Sequence, residues 1–194
     1  MKKWIIIGII IVFALIVYYT ISGTYNNMVT YQEGVSAQWS QVENVYQRRA
    51  DLIPNLVKVV NMYAMYEKQT LTDVITARSK ATAVNINPEK LDEKSLQAFQ
   101  KAQDNLSSAL GRLMVVVEKY PELKANQGFL DLQAQLEGSE NRIANERMKF
   151  NETAQVYNTY IRKFPKNIYA KLFDFEKKAY FDADKGAEKA PKIE

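Results

Sequence analysis

The first apolar pattern along the chain is an unbroken run of 18 uncharged residues, from Trp4 to Ile21. As a helix this run is about 27 Å long, close to the roughly 30 Å thickness of the hydrocarbon core of a bilayer. Trp4 lies at one end and Tyr18 and Tyr19 lie at the other, where amphipathic rings prefer the headgroup level. The pattern predicts a transmembrane helix that anchors the chain over residues 1–24.

Positive charge on either side of this run predicts its orientation. Lys2 and Lys3 precede it, whereas the first basic residue after it is Arg48. Because lysine and arginine stay on the cytoplasmic side, we expect a cytoplasmic N-terminus with the bulk of the chain outside. In a bacterium this means an anchor in the inner membrane, with residues 22–194 periplasmic or extracellular. The two lysines and the three aromatic residues above form the predicted membrane interface. The alternative is a cleaved signal peptide, but residues 18–23 match a cleavage site poorly.

After the span, apolar positions recur in alternating steps of three and four residues, the spacing of a coiled-coil seam. The positions are Trp39, Val42, Tyr46, Ile53, Leu56, Val60, Tyr63, Leu71, Val74 and Ala77. Arg49 and Glu67 stand at the two places where the seam should hold an apolar side chain. The spacing predicts that one long helix carries the whole seam.

Pro54 interrupts this predicted helix. A proline in a helix interior lacks the N–H that bonds the carbonyl four residues earlier and clashes with that carbonyl, here of Ala50. We therefore expect a kink or break, with Asp51 capping the restarted helix and Arg48 and Arg49 partly solvated at the end of the previous segment. The alternative interpretation of the two arginines is a basic spot for an anionic partner or a lipid headgroup.

Two further long helices and a short one follow. Asn87 and Pro88 are typical of a helix start, and Pro121 ends the second helix. A turn over residues 121–128 leads to a third helix that ends at Pro165, and a short helix, NIYAKLFDF, closes the domain.

No alternating β pattern competes with these helices. Because short connections make neighbouring helices antiparallel, the sequence predicts an all-α fold. It consists of the transmembrane helix and an antiparallel up-and-down bundle of three long helices plus the closing helix, over residues 25–180. The polar residues 181–194 are predicted to be a disordered tail.

Glu67 needs a partner if it is buried in the seam, because a lone buried carboxylate is costly. Arg49 is too far away, about 27 Å along a straight helix. We expect Glu67 to pair instead with Arg142 or Arg147 on the third helix, since three long helices with short turns bring those levels together.

Composition narrows the chemistry. The chain has no cysteine and no histidine, which excludes a disulfide framework, a Cys/His zinc site and a Cys–His or Ser–His catalytic pair. The net charge is only +4 with signs interspersed, so we expect no nucleic-acid partner. We also expect no cofactor and no enzymatic activity, because no phosphate-binding loop or nucleophile elbow is present.

Several long motifs resemble the LemA family of bacterial membrane proteins. They are YNNMV (25–29), WSQVENVYQRRADLIPNLV (39–57), YAMYEKQTL (63–71), AR (77–78), YPELKANQGFLDLQAQLEGSENRIANERMKFNE (120–152), YNTYIRKFP (157–165) and FDFEKKAYF (173–181). The structural and family-motif residues singled out on this basis are Trp39, Arg48, Arg49, Asp51, Pro54, Glu67, Glu140, Arg142, Tyr157 and Pro165. Tyr66 departs from the family, which often has a histidine there.

The resemblance implies a single N-terminal membrane helix, an antiparallel helical bundle and no established enzymatic reaction. Some relatives belong to magnetosome-forming bacteria, which favours a role in membrane organisation. We expect a membrane-anchored scaffold that contacts lipid through its first helix and self-associates or organises partners. The alternative is an accessory subunit that regulates another envelope protein, such as a protease or a transporter.

Overall fold

The computed structural model describes residues 2–182, and within that range the secondary structure is helical, with no strand. The helices are α1 (Lys2–Tyr63), α2 (Lys68–Ala83), a 3₁₀ turn (Pro88–Lys90), α3 (Glu93–Val117), α4 (Pro121–Lys124), α5 (Gln127–Arg162) and α6 (Lys166–Leu172). The all-α class is confirmed.

Helix α1 is one continuous element of 62 residues, about 93 Å long by its rise. Its N-terminal part is the one segment among the described residues that is long and apolar enough to cross a membrane, by length and composition. The rest of α1 continues into the helical body, which we define as residues 25–182. The predicted span and the body therefore share a single helix.

Of the kink or break predicted at Pro54, the break is wrong, because α1 contains this proline in its interior, and the kink stays a prediction. The carbonyl of Ala50, which loses its usual N–H partner, accepts a hydrogen bond from Arg78 Nε at 2.7 Å. A donor from another helix thus replaces the missing backbone bond, and the chain continues as a helix.

The prediction that one helix carries the seam from Trp39 to Ala77 is also wrong. Helix α1 ends at Tyr63, and a turn over residues 64–67 leads into α2. Helix α2 folds back beside α1, as the bond between Arg78 and Ala50 requires. The apolar spacing persists through the turn because α2 also buries one face, at Leu71 and Val74.

Helix α5 lies along α1, and four contacts define the register. Tyr31, Gln38, Arg49 and Tyr63 of α1 meet, in that order, Tyr160, Glu146, Glu140 and Asn126. Residue numbers along α5 therefore fall as those along α1 rise. The complete up-and-down order predicted for the bundle stays a prediction.

Two apolar clusters fill the helical body. The proximal core, nearer the span, surrounds Trp39 and includes Phe99 and Phe150. The distal core surrounds Leu56 and includes Leu113 and other aliphatic side chains of α2 and α3. Between the two clusters lies a layer of buried polar side chains.

Candidate functional site

The buried polar layer is centred on Arg49, whose side chain is only 1% exposed. Its Nη1 donates to Glu140 Oε1 of α5 at 2.6 Å and to Ser107 Oγ of α3 at 2.9 Å, and its Nη2 donates to Gln103 Oε1 at 2.7 Å. The planar guanidinium suits such divergent acceptors, and charged hydrogen bonds are the strong ones. The prediction of a partly solvated Arg49 at a helix joint is therefore wrong.

A further hydrogen bond extends this network to α2. Gln103 Nε2 donates to the carbonyl of Ala81 at 3.3 Å, so the layer joins four helices. The Arg49 guanidinium also lies 5.2 Å from the ring centre of Tyr46. Burial raises the pKa of Tyr46 to about 12, although the nearby arginines oppose the change. Arg49 Nε is buried and has no hydrogen-bond partner among the described residues.

One side of this layer opens into a cleft of about 1000 Å³. The cleft wall carries both signs of charge, including Lys101, Asp104 and Glu140. Arg147, at the same wall, donates from Nη2 to the carbonyl of Asp182 at 2.7 Å. Because the wall carries both signs of charge, the cleft has no preference for anions or cations. The cleft gives solvent access to Glu140, whose side chain is 47% exposed.

Arg48, Arg49 and Asp51, which are close together in the sequence, have separate environments. Asp51 does not cap a restarted helix, because no helix restarts there. It accepts a hydrogen bond from Gln47 at 2.8 Å and lies 3.8 Å from Arg78 Nη2. Arg48 is exposed on α1. The basic spot is thus divided, with one arginine buried and one on the surface.

The predicted pairing of Glu67 with Arg142 or Arg147 is wrong. Glu67 lies in the turn before α2 and accepts a hydrogen bond from the Tyr120 hydroxyl at 3.3 Å. Arg142 is exposed, and Arg147 contacts the Phe181 ring at 5.0 Å, in the proximal half of the body. The expectation failed because the chain reverses at residues 64–67, which places Glu67 at the distal end.

A second group of buried and half-buried polar side chains holds the segment after α6, residues 175–182, which we call the C-terminal strap. Asn158 of α5 bonds both backbone groups of Lys178, at 2.9 Å each. Asn151, seven residues earlier on the same helix, bonds both backbone groups of Phe181 at 2.8 and 3.0 Å. The Tyr157 hydroxyl donates to the carbonyl of Glu176 at 3.0 Å. The strap is therefore fixed through its backbone.

Lys178 is the buried lysine of the strap, and its Nζ donates to the carbonyl of Glu89. Burial lowers the pKa of this amine. Phe181 is buried against Trp39 and Phe150, so the predicted bundle limit at residue 180 leaves out a core residue. The rest of the predicted tail, residues 183–194, lies outside the described residues.

The predicted membrane-interface residues lie on the exposed N-terminal part of α1. Trp4, Tyr18 and Tyr19 are exposed, and the rings of the two tyrosines meet edge to face at 5.6 Å. Lys3 is exposed as well. The side chain of Lys2 lies outside the described residues.

Comparison with known proteins agrees with the motifs described in the sequence. A family model described as the LemA family matches residues 38–194. The chain belongs to the LemA family.

Three relatives illustrate the LemA match. Magnetosome protein MamQ of Magnetospirillum gryphiswaldense is 30% identical over 81% of this chain, and MamQ 2 of Paramagnetospirillum magneticum is 31% identical over the same share. Protein LemA of Metamycoplasma hominis is 24% identical over 87% of this chain and 73% of its own length. The chain spans 64% of the length of the two magnetosome relatives. None of these three names, nor the family description, states an enzymatic activity.

Four of the LemA motif residues predicted from the sequence lie in the two polar groups or the proximal core. Arg49 and Glu140 meet in the buried layer, and Tyr157 meets the strap. Trp39 packs in the proximal core, where its buried Nε1 has no hydrogen-bond partner among the described residues. Pro165 directly precedes α6.

Among the polar residues that sequence reasoning missed are Gln103, Arg78, Asn158 and Lys178. The spacing could have identified Gln103 as a packing position, because steps of four and three from Phe99 reach Gln103 and then Leu106 along the seam of α3. The other three depend on contacts between segments distant in sequence, for which the spacing along one helix carries no information.

Proposed function

We propose that this LemA-family protein is a non-enzymatic scaffold, an antiparallel helical bundle anchored in the bacterial inner membrane. It self-associates or organises partners at the membrane surface. The observation that carries the proposal is the continuity of α1, which runs from the apolar segment into the helical body without a flexible joint. A rigid connection of this kind transmits the orientation of the membrane helix to the whole body.

The buried charges support a structural role. The Arg49 guanidinium donates hydrogen bonds to two neighbouring helices, α3 and α5. Lys178 donates a hydrogen bond to a backbone carbonyl inside the fold. Buried polar contacts that must all be satisfied favour one register of the helices over others. Such a layer suits a body that keeps its shape while other molecules bind to its surface.

The proposed topology places the N-terminus in the cytoplasm and the body in the periplasm or outside. Lys2 and Lys3 on one side, with the next basic residue at Arg48, support this orientation. Lipid is then the first partner, through residues 4–21. The relatives named as magnetosome proteins support a membrane-associated role for this chain as well.

The oligomeric state of the full-length protein tests the scaffold. Light scattering in nanodiscs and in detergent, at several protein concentrations, should give a defined mass above that of one chain. The matched control is a variant whose residues 4–21 are replaced by an unrelated transmembrane helix of equal length. A monomer at every concentration would contradict self-association.

The second candidate is an accessory subunit of another envelope protein. The observation that favours it is the distal end of the body, where Met62 of α1 and Met65 and Tyr66 of the following turn are exposed, the last of them 94% exposed. A photo-crosslinking residue at position 66 should give one recurrent adduct in native membranes, whereas the same residue at Met148, exposed on α5, should not. Equal adducts at both positions would count against this candidate.

A further inference from the structure

Helix α6 and the two residues before it, Phe164 and Pro165, expose three large apolar side chains on the surface of the helical body. Phe164 is 81% exposed, Ile168 is 56% exposed and Leu172 is 70% exposed. Their spacing of four residues places Ile168 and Leu172 one turn apart on the same face of α6. Exposed apolar side chains that neighbour one another, unlike ones scattered singly, are typical of a surface that contacts a membrane or another molecule.

The position of α6 indicates what that surface meets. Phe173, directly after α6, packs edge to face on Tyr25 of α1, with 5.1 Å between the ring centres. An apolar crevice of about 280 Å³ lies between Phe173 and α1, and it is lined by Tyr18 and Ile21 as well. Both of these residues belong to the predicted span. The end of α6 is therefore level with the C-terminal end of the predicted span.

Basic side chains flank α6, as they would at a phospholipid surface. Lys163 and Lys171 are exposed and directly precede Phe164 and Leu172 in the sequence. Lys166 Nζ, at the first turn of α6, lies 3.7 Å from the ring centre of Tyr160. Lysines near an interface extend their amines to the phosphate level while their aliphatic stems stay among apolar groups. Three lysines next to three apolar side chains give the composition of an interfacial amphipathic element.

We infer that α6 docks on the surface of the same bilayer that α1 spans. Phe164, Ile168 and Leu172 enter the boundary between headgroups and acyl chains, and the neighbouring lysines bind lipid phosphates. This second attachment rests on the proposed anchor. It holds the body at a fixed tilt and rotation relative to the membrane, which a single span alone would leave free.

Depth measurements on the full-length protein test this contact. The chain has no cysteine, so Ile168→Cys or Leu172→Cys gives a single site for a nitroxide label. Val12→Cys in the span and Val115→Cys, which is exposed on α3 in the distal half, provide the two controls. The proteins are placed in nanodiscs of phosphatidylcholine with phosphatidylglycerol, and label relaxation by oxygen is compared with relaxation by a water-soluble nickel chelate.

Labels at positions 168 and 172 should respond to oxygen more than to nickel, as Val12→Cys does, whereas Val115→Cys should respond to nickel. If Val12→Cys is deep and the α6 labels respond like Val115→Cys, the docking is overturned while the anchor stands. If Val12→Cys itself responds to nickel, the anchor fails, and the docking fails with it. Labels on α6 that are shielded from both reagents would mean that protein covers this face, which also overturns the inference.

Charge reversal tests the part assigned to lysine. The double variant Lys163→Glu and Lys171→Glu should shift the label at position 172 toward the nickel reagent in nanodiscs with phosphatidylglycerol. Lys119→Glu with Lys124→Glu, at exposed distal positions, is the matched control and should leave the label depth unchanged. If the label at position 172 responds equally with no lysine substitution, with the Lys163→Glu and Lys171→Glu pair and with the control pair, the proposal that these lysines bind phosphates is overturned.

Discussion

The hydrogen bond from Arg78 to the carbonyl of Ala50 can be tested together with Pro54. Pro54 has no N–H to offer this carbonyl, and Arg78 Nε bonds it at 2.7 Å. In the variant Pro54→Ala a backbone N–H returns at the position where α1 can use it. The importance of Arg78 should therefore depend on whether residue 54 is proline.

The magnitude follows from the two contacts that Arg78→Met removes. A buried carbonyl left without a donor costs about 1–3 kcal/mol of unfolding free energy. The ion pair with Asp51, 3.8 Å long and partly exposed, contributes at most about 1 kcal/mol. With Pro54→Ala the first contribution largely disappears, so we expect the two substitutions to couple by about 1–2 kcal/mol. In a domain of this size that corresponds to roughly 2–8 °C in melting temperature.

Guanidinium unfolding of the four full-length proteins in detergent, followed by circular dichroism, measures this coupling. Asp51→Asn isolates the ion pair, and Arg142→Met, an exposed arginine on α5, is the matched control with an expected change within about 0.5 kcal/mol. If Arg78→Met lowers the free energy of unfolding equally in the native background and in the Pro54→Ala background, the bond does not compensate for the proline. The explanation of the unbroken α1 would then be wrong.

Three further predictions concern the buried polar groups. Glu140→Gln should lower the free energy of unfolding by about 1–3 kcal/mol, less than the loss of a fully buried pair, because Glu140 is 47% exposed. Guanidinium unfolding measures this loss, which should be smaller when Glu140→Gln is made in the Arg49→Met background. Burial raises the pKa of Tyr46 from 10.0 to about 12. The unfolded chain releases this proton first, so stability present below pH 10 is lost as pH rises through 12, and Tyr46→Phe should reduce that loss in alkaline melts. Asn158→Ala leaves both backbone groups of one strap residue unpaired, so amide hydrogen exchange in residues 175–182 should become roughly 10- to 100-fold faster, and unchanged exchange would refute the role of this side chain.

The sequence alone predicts the helical class and the apolar span because both depend on local spacing. It fails at the turn after Tyr63 for a physical reason. Residues 64–67 contain no glycine or proline, and the apolar seam resumes in phase at Leu71. A chain that reverses without a turn signal, between two helices that each bury one face, has the pattern of one straight helix. The error at Glu67 followed directly from this.

Arg49 shows how far the prediction of the site could go. The seam marked Arg49 as a charged residue at a packing position, and Glu140 was among the motif residues. Their pairing joins positions 91 residues apart, and the spacing within one helix does not encode such a contact. Pro54 was a similar case, since its lost hydrogen bond was predictable and the donor that replaces it was not. Local rules thus identify which groups need partners, and tertiary structure decides which partners they get.

Because α1 is unbroken, the number of residues between the span and Met28, the first buried residue of the body, determines how the body is rotated relative to the span. Each residue added to a continuous helix turns everything beyond it by about 100° and raises it by about 1.5 Å. One insertion near Gly23 would swing α6 around the helix axis, away from the side it now occupies, whereas seven would return it almost to the same direction, about 10 Å higher. The number of residues in this short stretch therefore sets the rotation of the body about the helix axis as well as its height above the span.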